Sequence, residues 1–71
     1  MKNYLTEREQ NVVYYLAQGF TNEEIAESLH ISVHTVKAHL EAIYEKLGVT
    51  NRVQAAMKAV SLGLIEVESN V

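Results

Sequence analysis

The sequence predicts an all-α domain of four helices, and three observations carry that prediction. Apolar residues recur at helical spacing, and strand-like alternation is absent. Thr6, Thr21 and Ser32 each stand where an N-cap belongs, two of them within capping boxes. Gly19, Gly48 and Gly63 each stand where a left-handed C-cap belongs. A chain of 71 residues makes one small domain, read here as 1–71 with an ordered core at about 5–65.

The first helix is capped by Thr6, with Glu9 reaching back to it, and runs over 7–18. Val12, Val13, Tyr15 and Leu16 form its apolar side, and Tyr14 faces solvent. The second helix, Asn22–Leu29, starts at the box formed by Thr21 and Glu24, with Phe20 and Ile25 as a hydrophobic staple. Ile25, Ala26 and Leu29 turn inward. His30 and Ile31 make a tight connection, and Ser32 caps the third helix. So short a turn forces the two helices to cross steeply, which is the helix-turn-helix arrangement.

The stretch 31–48 is the longest helical segment and has two different faces. Val36, Leu40, Ile43 and Leu47 recur at i, i+4, i+7 and i+11, the stripe of a core-facing helix. His34, Lys37, Ala38, Glu41 and Glu45 fall on the other side, a face that can be presented to a DNA major groove. Asn51 or Thr50 caps a fourth helix over 52–62, whose inner side is Ala55, Ala56 and Ala59. Gln54, Met57, Lys58 and Ser61 lie outward, and Leu64 and Ile65 fold over the core. The first four residues are read as frayed and 66–71 as an acidic tail without pattern.

Composition narrows the function. There is no cysteine, hence no disulfide and no thiolate zinc site. No apolar run is long enough for a bilayer, and MKNYLTERE lacks the core of a signal peptide, so a cytoplasmic setting is expected. All nine acids are Glu, and the net charge of −3 argues against indiscriminate nucleic-acid binding. Five of those acids sit in the first two helices, mostly near their N-termini, whereas 30–52 holds Lys37, Lys46, Arg52 and all three histidines against Glu41 and Glu45. A neutral-to-positive face on an acidic body is the result. His34 and His39 are five apart, and a turn and cap separate His30 from His34, so no metal site is expected. With no Asp, no Cys and no glycine-rich phosphate loop, neither an enzyme nor a cofactor is expected.

One run of residues is more specific than any of these features. Leu5-Thr6, Arg8-Glu9, Gly19, Asn22-Glu23-Glu24-Ile25-Ala26, Leu29, Ile31-Ser32, Thr35-Val36-Lys37, His39, Lys46-Leu47-Gly48-Val49, Asn51-Arg52 and Ala55-Ala56 together resemble the LuxR-type DNA-binding domain, also called FixJ or NarL type. The resemblance covers 5–65 without insertions. It implies a bacterial transcription regulator that binds double-stranded DNA sequence-specifically. The third helix would then be the recognition helix in the major groove, and the fourth the contact of a symmetric dimer. Such dimers fit palindromic half-sites about one helical turn apart. In this family the domain is usually the effector of a two-component response regulator or of an autoinducer receptor. RNA polymerase is a further candidate partner.

The resemblance supports roles for Lys37, Thr35 and His39, the residues themselves suggest the others, and Glu41 departs from the family, several of whose members carry a base or an amide there. His34, Lys37, Ala38 and Glu41 are the candidate base readers. Lys37 reaches a guanine edge or a phosphate, Ala38 a thymine methyl, and Glu41 a cytosine amino group. Glu41 reads equally as a solvated charge, Ala38 as a small residue with no role, and Lys37 otherwise as a solvated lysine. Thr21, Asn22, Thr35, His39, Lys46 and Arg52 are the candidate backbone contacts. Against this, Thr21 and Asn22 cap a helix, Thr35 can bond a carbonyl of its own helix, and His39 lies on the helix flank. Lys46 is otherwise a solvated charge, and Arg52 a structural partner of Glu9. Gln54, Met57, Lys58 and Ser61 are the candidate dimer contacts. The competing hypothesis is a protein-interaction module on the same fold that has lost DNA affinity, suggested by the net charge and Glu41.

Overall fold

A computed structural model describes residues 5–65, and both ends considered above, 1–4 and 66–71, lie outside them. Four helices follow one another: α1 (Glu7–Ala17), α2 (Asn22–Leu29), α3 (Val33–Leu47) and α4 (Arg52–Ser61). Among the described residues there is no strand.

The helix starts follow from the caps. Thr6 Oγ1 accepts the Glu9 N–H at 3.1 Å while Glu9 Oε1 accepts the Thr6 N–H at 2.9 Å. Thr21 and Glu24 repeat the exchange at 3.1 and 2.8 Å. Each box satisfies two donors that the first turn of a helix otherwise leaves open. Ser32 Oγ accepts from the Thr35 N–H, so α3 begins at Val33 and leaves Ile31 outside it. Asn51, rather than Thr50, caps α4, its Oδ1 accepting from the Gln54 N–H at 2.9 Å. Thr50 instead donates its N–H and hydroxyl to Gln54 Oε1.

The helix stops fall within one residue of expectation, and one of them uses an unexpected residue. α1 gives way to Gln18 and α4 to Leu62, each one residue inside the expected bound. Gly48 closes α3 at φ 69°, where the Val49 N–H returns to the Tyr44 carbonyl. α2 ends in the same geometry, but its left-handed residue is His30, at φ 59° and ψ 43°. The Ile31 N–H then reaches back to the Ala26 carbonyl at 3.0 Å. The sequence reading had only a tight connection here, because histidine is not the usual residue for this conformation.

α1 packs against α4 and α3, α2 lies on α3, and α3 also packs on α4. α2 and α4 do not pack helix against helix among the described residues. The core runs through Val12, Val13, Leu16, Ile25, Val36, Leu40, Ile43, Leu47, Ala55 and Ala59, with Leu5 beneath the start of α1. Burying an isoleucine such as Ile25 or Ile43 contributes about 1.5–3 kcal/mol. Ala55 and Ala59 let α4 approach closely, whereas Ala56 and Leu29 are half-buried at the rim. The consequence for the site is that α3 is gripped from one side only.

Candidate nucleic-acid interface

The free side of α3 carries the candidate base readers. His34, Lys37, Ala38 and Glu41 are all exposed. At 100° per residue they occupy one sector opposite Val36, Leu40, Ile43 and Leu47. Beside this face lies a shallow depression of about 440 Å³ lined by Gly19, Phe20, Thr21, Asn22, Glu23, Lys37 and Arg52. The fold therefore brings Lys37 to the N-terminus of α2. There the Asn22 and Glu23 N–H groups precede any carbonyl their own helix could offer. Dipole, open N–H groups and a lysine at one depression make a suitable surface for an anionic backbone.

Thr35, His39 and Lys46 lie on the flank of α3, at i, i+4 and i+11, rather than with Lys37. The Thr35 hydroxyl is 2.9 Å from Ser32 Oγ, so it joins the cap instead of bonding a carbonyl in its own helix. His39 is half-buried. Lys46 is exposed but paired, its Nζ 2.7 Å from Glu9 Oε1, and it does not line the depression. Glu9 has a side chain only 7% exposed. Burial would push its carboxyl up, but the Lys46 hydrogen bond, the Thr6 N–H, the Lys46 charge and the Thr6 hydroxyl together hold it below its ordinary value.

The pairing of Arg52 with Glu9 expected from sequence is corrected. Arg52 Nη2 donates to the Phe20 carbonyl at 2.7 Å and Nη1 to Asn22 Oδ1 at 3.0 Å. Arg8, the other arginine, reaches the Leu29 carbonyl at 3.5 Å. Arg52 thus ties the start of α4 to the start of α2, and Lys46 ties the end of α3 to α1.

The outward side of α4 is more apolar than the expected set suggests. Val53, Met57 and Val60 are 64, 67 and 43% exposed and form a stripe at i, i+4 and i+7. Ala17, Ala56, Met57, Val60 and Ser61 line a depression of about 480 Å³ there. Gln54, Met57, Lys58 and Ser61 all line a second one, of about 360 Å³, on the neighbouring sector. Sequence reasoning missed Val53 and Val60, although their spacing opposite Ala55 and Ala59 was the available signal. Among the described residues no helix is long and apolar enough to cross a membrane.

A helix pair joined by a short turn, its second member showing a polar face and the pair backed by a first and a fourth helix, defines the helix-turn-helix class of DNA-binding domain. The chain belongs to the LuxR family: the family described as bacterial regulatory proteins, luxR family, matches residues 3–59. It is 44% identical over 62 residues to the response regulator protein VraR of Staphylococcus aureus (strain Mu3 / ATCC 700698), covering 87% of this chain and 30% of that protein. VraR of Staphylococcus epidermidis matches to the same extent. The chain thus spans about a third of the length of these curated relatives. Among solved structures, the response regulator ChrA of a heme-sensing two-component system superposes with a TM-score of 0.86 at 43% identity, over 92% of this chain and 32% of that one. The transcription factor GerE gives 0.81 at 34% identity, over 87% and 92%. The DNA-binding domain of the response regulator ComA, solved in complex with the anti-activator RapF, gives 0.77 at 39%, over 79% and 97%.

Proposed function

We propose that this chain is the DNA-reading domain of a bacterial transcription regulator and binds a palindromic duplex as a symmetric dimer. The observation that carries the reading is the open face of α3, where Lys37 stands beside the start of α2 with its open Asn22 and Glu23 N–H groups. In this reading His34, Lys37, Ala38 and Glu41 meet base edges in the major groove. Thr21 and Asn22 hold a phosphate at the start of α2, with Thr35 and His39 along the flank. α4 pairs with its copy through Met57 at the centre, Gln54, Lys58 and Ser61 on one side, and Val53 and Val60 on the other.

A second reading, a protein-interaction module without DNA affinity, is favoured by the charge of −3 and by the ComA domain having been solved in a complex with a protein. One experiment separates them. A random-sequence duplex pool is incubated with the chain, bound sequences are amplified, and their affinity is titrated over salt. Phosphate contacts give a log–log slope of about −0.9 per neutralised phosphate, and a palindromic consensus reports the dimer. No enrichment and no salt dependence would leave the interaction module standing.

A further inference from the structure

Arg52 is half-buried, lies at the first position of α4, and spends its guanidinium on two acceptors belonging to the start of α2. Arginine carries donors only, so the Asn22 atom 3.0 Å from Nη1 has to be the amide oxygen. That fixes a group whose two ends are otherwise interchangeable. With the oxygen turned to Arg52, the NH2 on the other limb of the planar amide points away from it. Among the described residues that NH2 donates to no protein atom. Asn22 and Lys37 line the same depression. The second Arg52 bond, to the Phe20 carbonyl at 2.7 Å, pins the backbone entering α2.

We infer that Arg52 is a positioning residue of the DNA interface, holding Asn22 by its oxygen so that its NH2 donates to a backbone phosphate beside Lys37. This rests on the DNA-binding reading above and replaces a direct phosphate contact for Arg52. It also explains why an arginine stands at this place. A lysine is a point charge and lacks the fork that spans two acceptors.

The test is a double-mutant cycle on the duplex that the wild-type chain selects from a random-sequence pool. Asn22→Ala loses about tenfold in affinity, the worth of one hydrogen bond to a charged group. Arg52→Met loses about the same, and the double variant binds within about twofold of either single one, because both remove one interaction. The salt slope of Arg52→Met stays at the wild-type value, since a positioning arginine neutralises no phosphate. Asn22→Asp keeps the oxygen for Arg52 and forms an ion pair with it, so its melting temperature is at or above wild type. Yet it binds at least as poorly as Asn22→Ala. That readout of affinity apart from stability remains measurable if Arg52→Met fails to fold. Losses that multiply, a slope smaller by about 0.9 in Arg52→Met, or wild-type affinity in Asn22→Asp would each overturn the inference. A wild-type chain that enriches no duplex would instead defeat the DNA-binding reading itself.

Discussion

α3 and α4 bury their inner sides in the same core, but their outward sides are opposites. α3 turns His34, Lys37, Ala38 and Glu41 to water, while α4 turns Val53, Met57 and Val60, each more than two-fifths exposed. A polar face is stable in water, and it has function only if something polar meets it. An apolar stripe on a small domain is stabilised by being covered. Periodicity tells which side of a helix goes in, and the chemistry of the remaining side tells what kind of partner it suits. In the function proposed above, base edges and phosphates meet the first face and a second copy of the chain meets the second.

The strongest way to break this comparison is to make the two faces alike. Met57→Glu places a charge at the centre of the α4 stripe. As Met57 is exposed, thermal stability should stay within about 0.5 kcal/mol of wild type. Sedimentation should show a monomer, and affinity for a palindromic duplex should fall about 100-fold as the linked second half-site is lost. Affinity for a single half-site should not change. A Met57→Glu chain that still sediments as a dimer would move the subunit contact off this face. Lys37→Ala is the matching change on α3. It should weaken binding by about 1–3 kcal/mol and relax preference at one base pair, with no change in melting temperature.

Lys46 sharpens the comparison because it lies on neither face. Lys46→Met leaves the Glu9 carboxylate buried with only the cap of Thr6, which should destabilise the domain by about 1–2 kcal/mol. DNA affinity per folded molecule should hold. The acid side gives the sign. The folded Glu9 carboxyl sits below its ordinary value of 4.5, so the pair stabilises fully above that value. The contribution is lost as pH falls through the folded value, where both states are protonated. Urea unfolding across that range should show a loss for wild type that Lys46→Met lacks. If Lys46→Met instead weakened DNA binding without altering stability, Lys46 would belong with the phosphate contacts.

What the sequence made legible follows from how local each cause is. Thr6, Thr21, Ser32 and Asn51 act within three residues of themselves, so the helix starts could be placed from spacing, with only the choice between Thr50 and Asn51 left for the structure. The open face of α3 followed from the position of its apolar stripe. The two long ties were not legible. Lys46 and Glu9 are 37 positions apart, and Arg52 and Asn22 are 30 apart. Which cation meets which acceptor depends on helix crossings that no local pattern encodes. From sequence, Arg52 accordingly reads as a phosphate contact or as a partner of Glu9, the acid that Lys46 holds. The apolar side of α4 was overlooked for a different reason. Its inner side is alanine, so Val53 and Val60 carry the larger apolar surface while pointing outward.

The smallest expected effect lies in the two turns that flank α3. His30 before it and Gly48 after it adopt nearly the same left-handed conformation, at φ 59° and 69°. For a residue with a Cβ that conformation costs roughly 1–2 kcal/mol, and for glycine almost nothing. His30 is exposed, and the hydrogen bonds of its turn come from backbone, so His30→Gly removes strain without removing a contact. A relief of about 1 kcal/mol, partly offset by the greater freedom of glycine in the unfolded chain, should raise the melting temperature by less than the roughly 4–8 °C that a full 1 kcal/mol would give. Gly48→Ala is the mirror experiment. A Cβ there would meet nothing within 4 Å, so its cost is backbone strain alone, and a fall of similar size is expected. Unchanged DNA affinity in both variants would mean that the turn into α3 is set by its hydrogen bonds and not by its residue. If His30→Gly bound DNA less well at equal or greater stability, the strained histidine would be part of how the reading face is aimed.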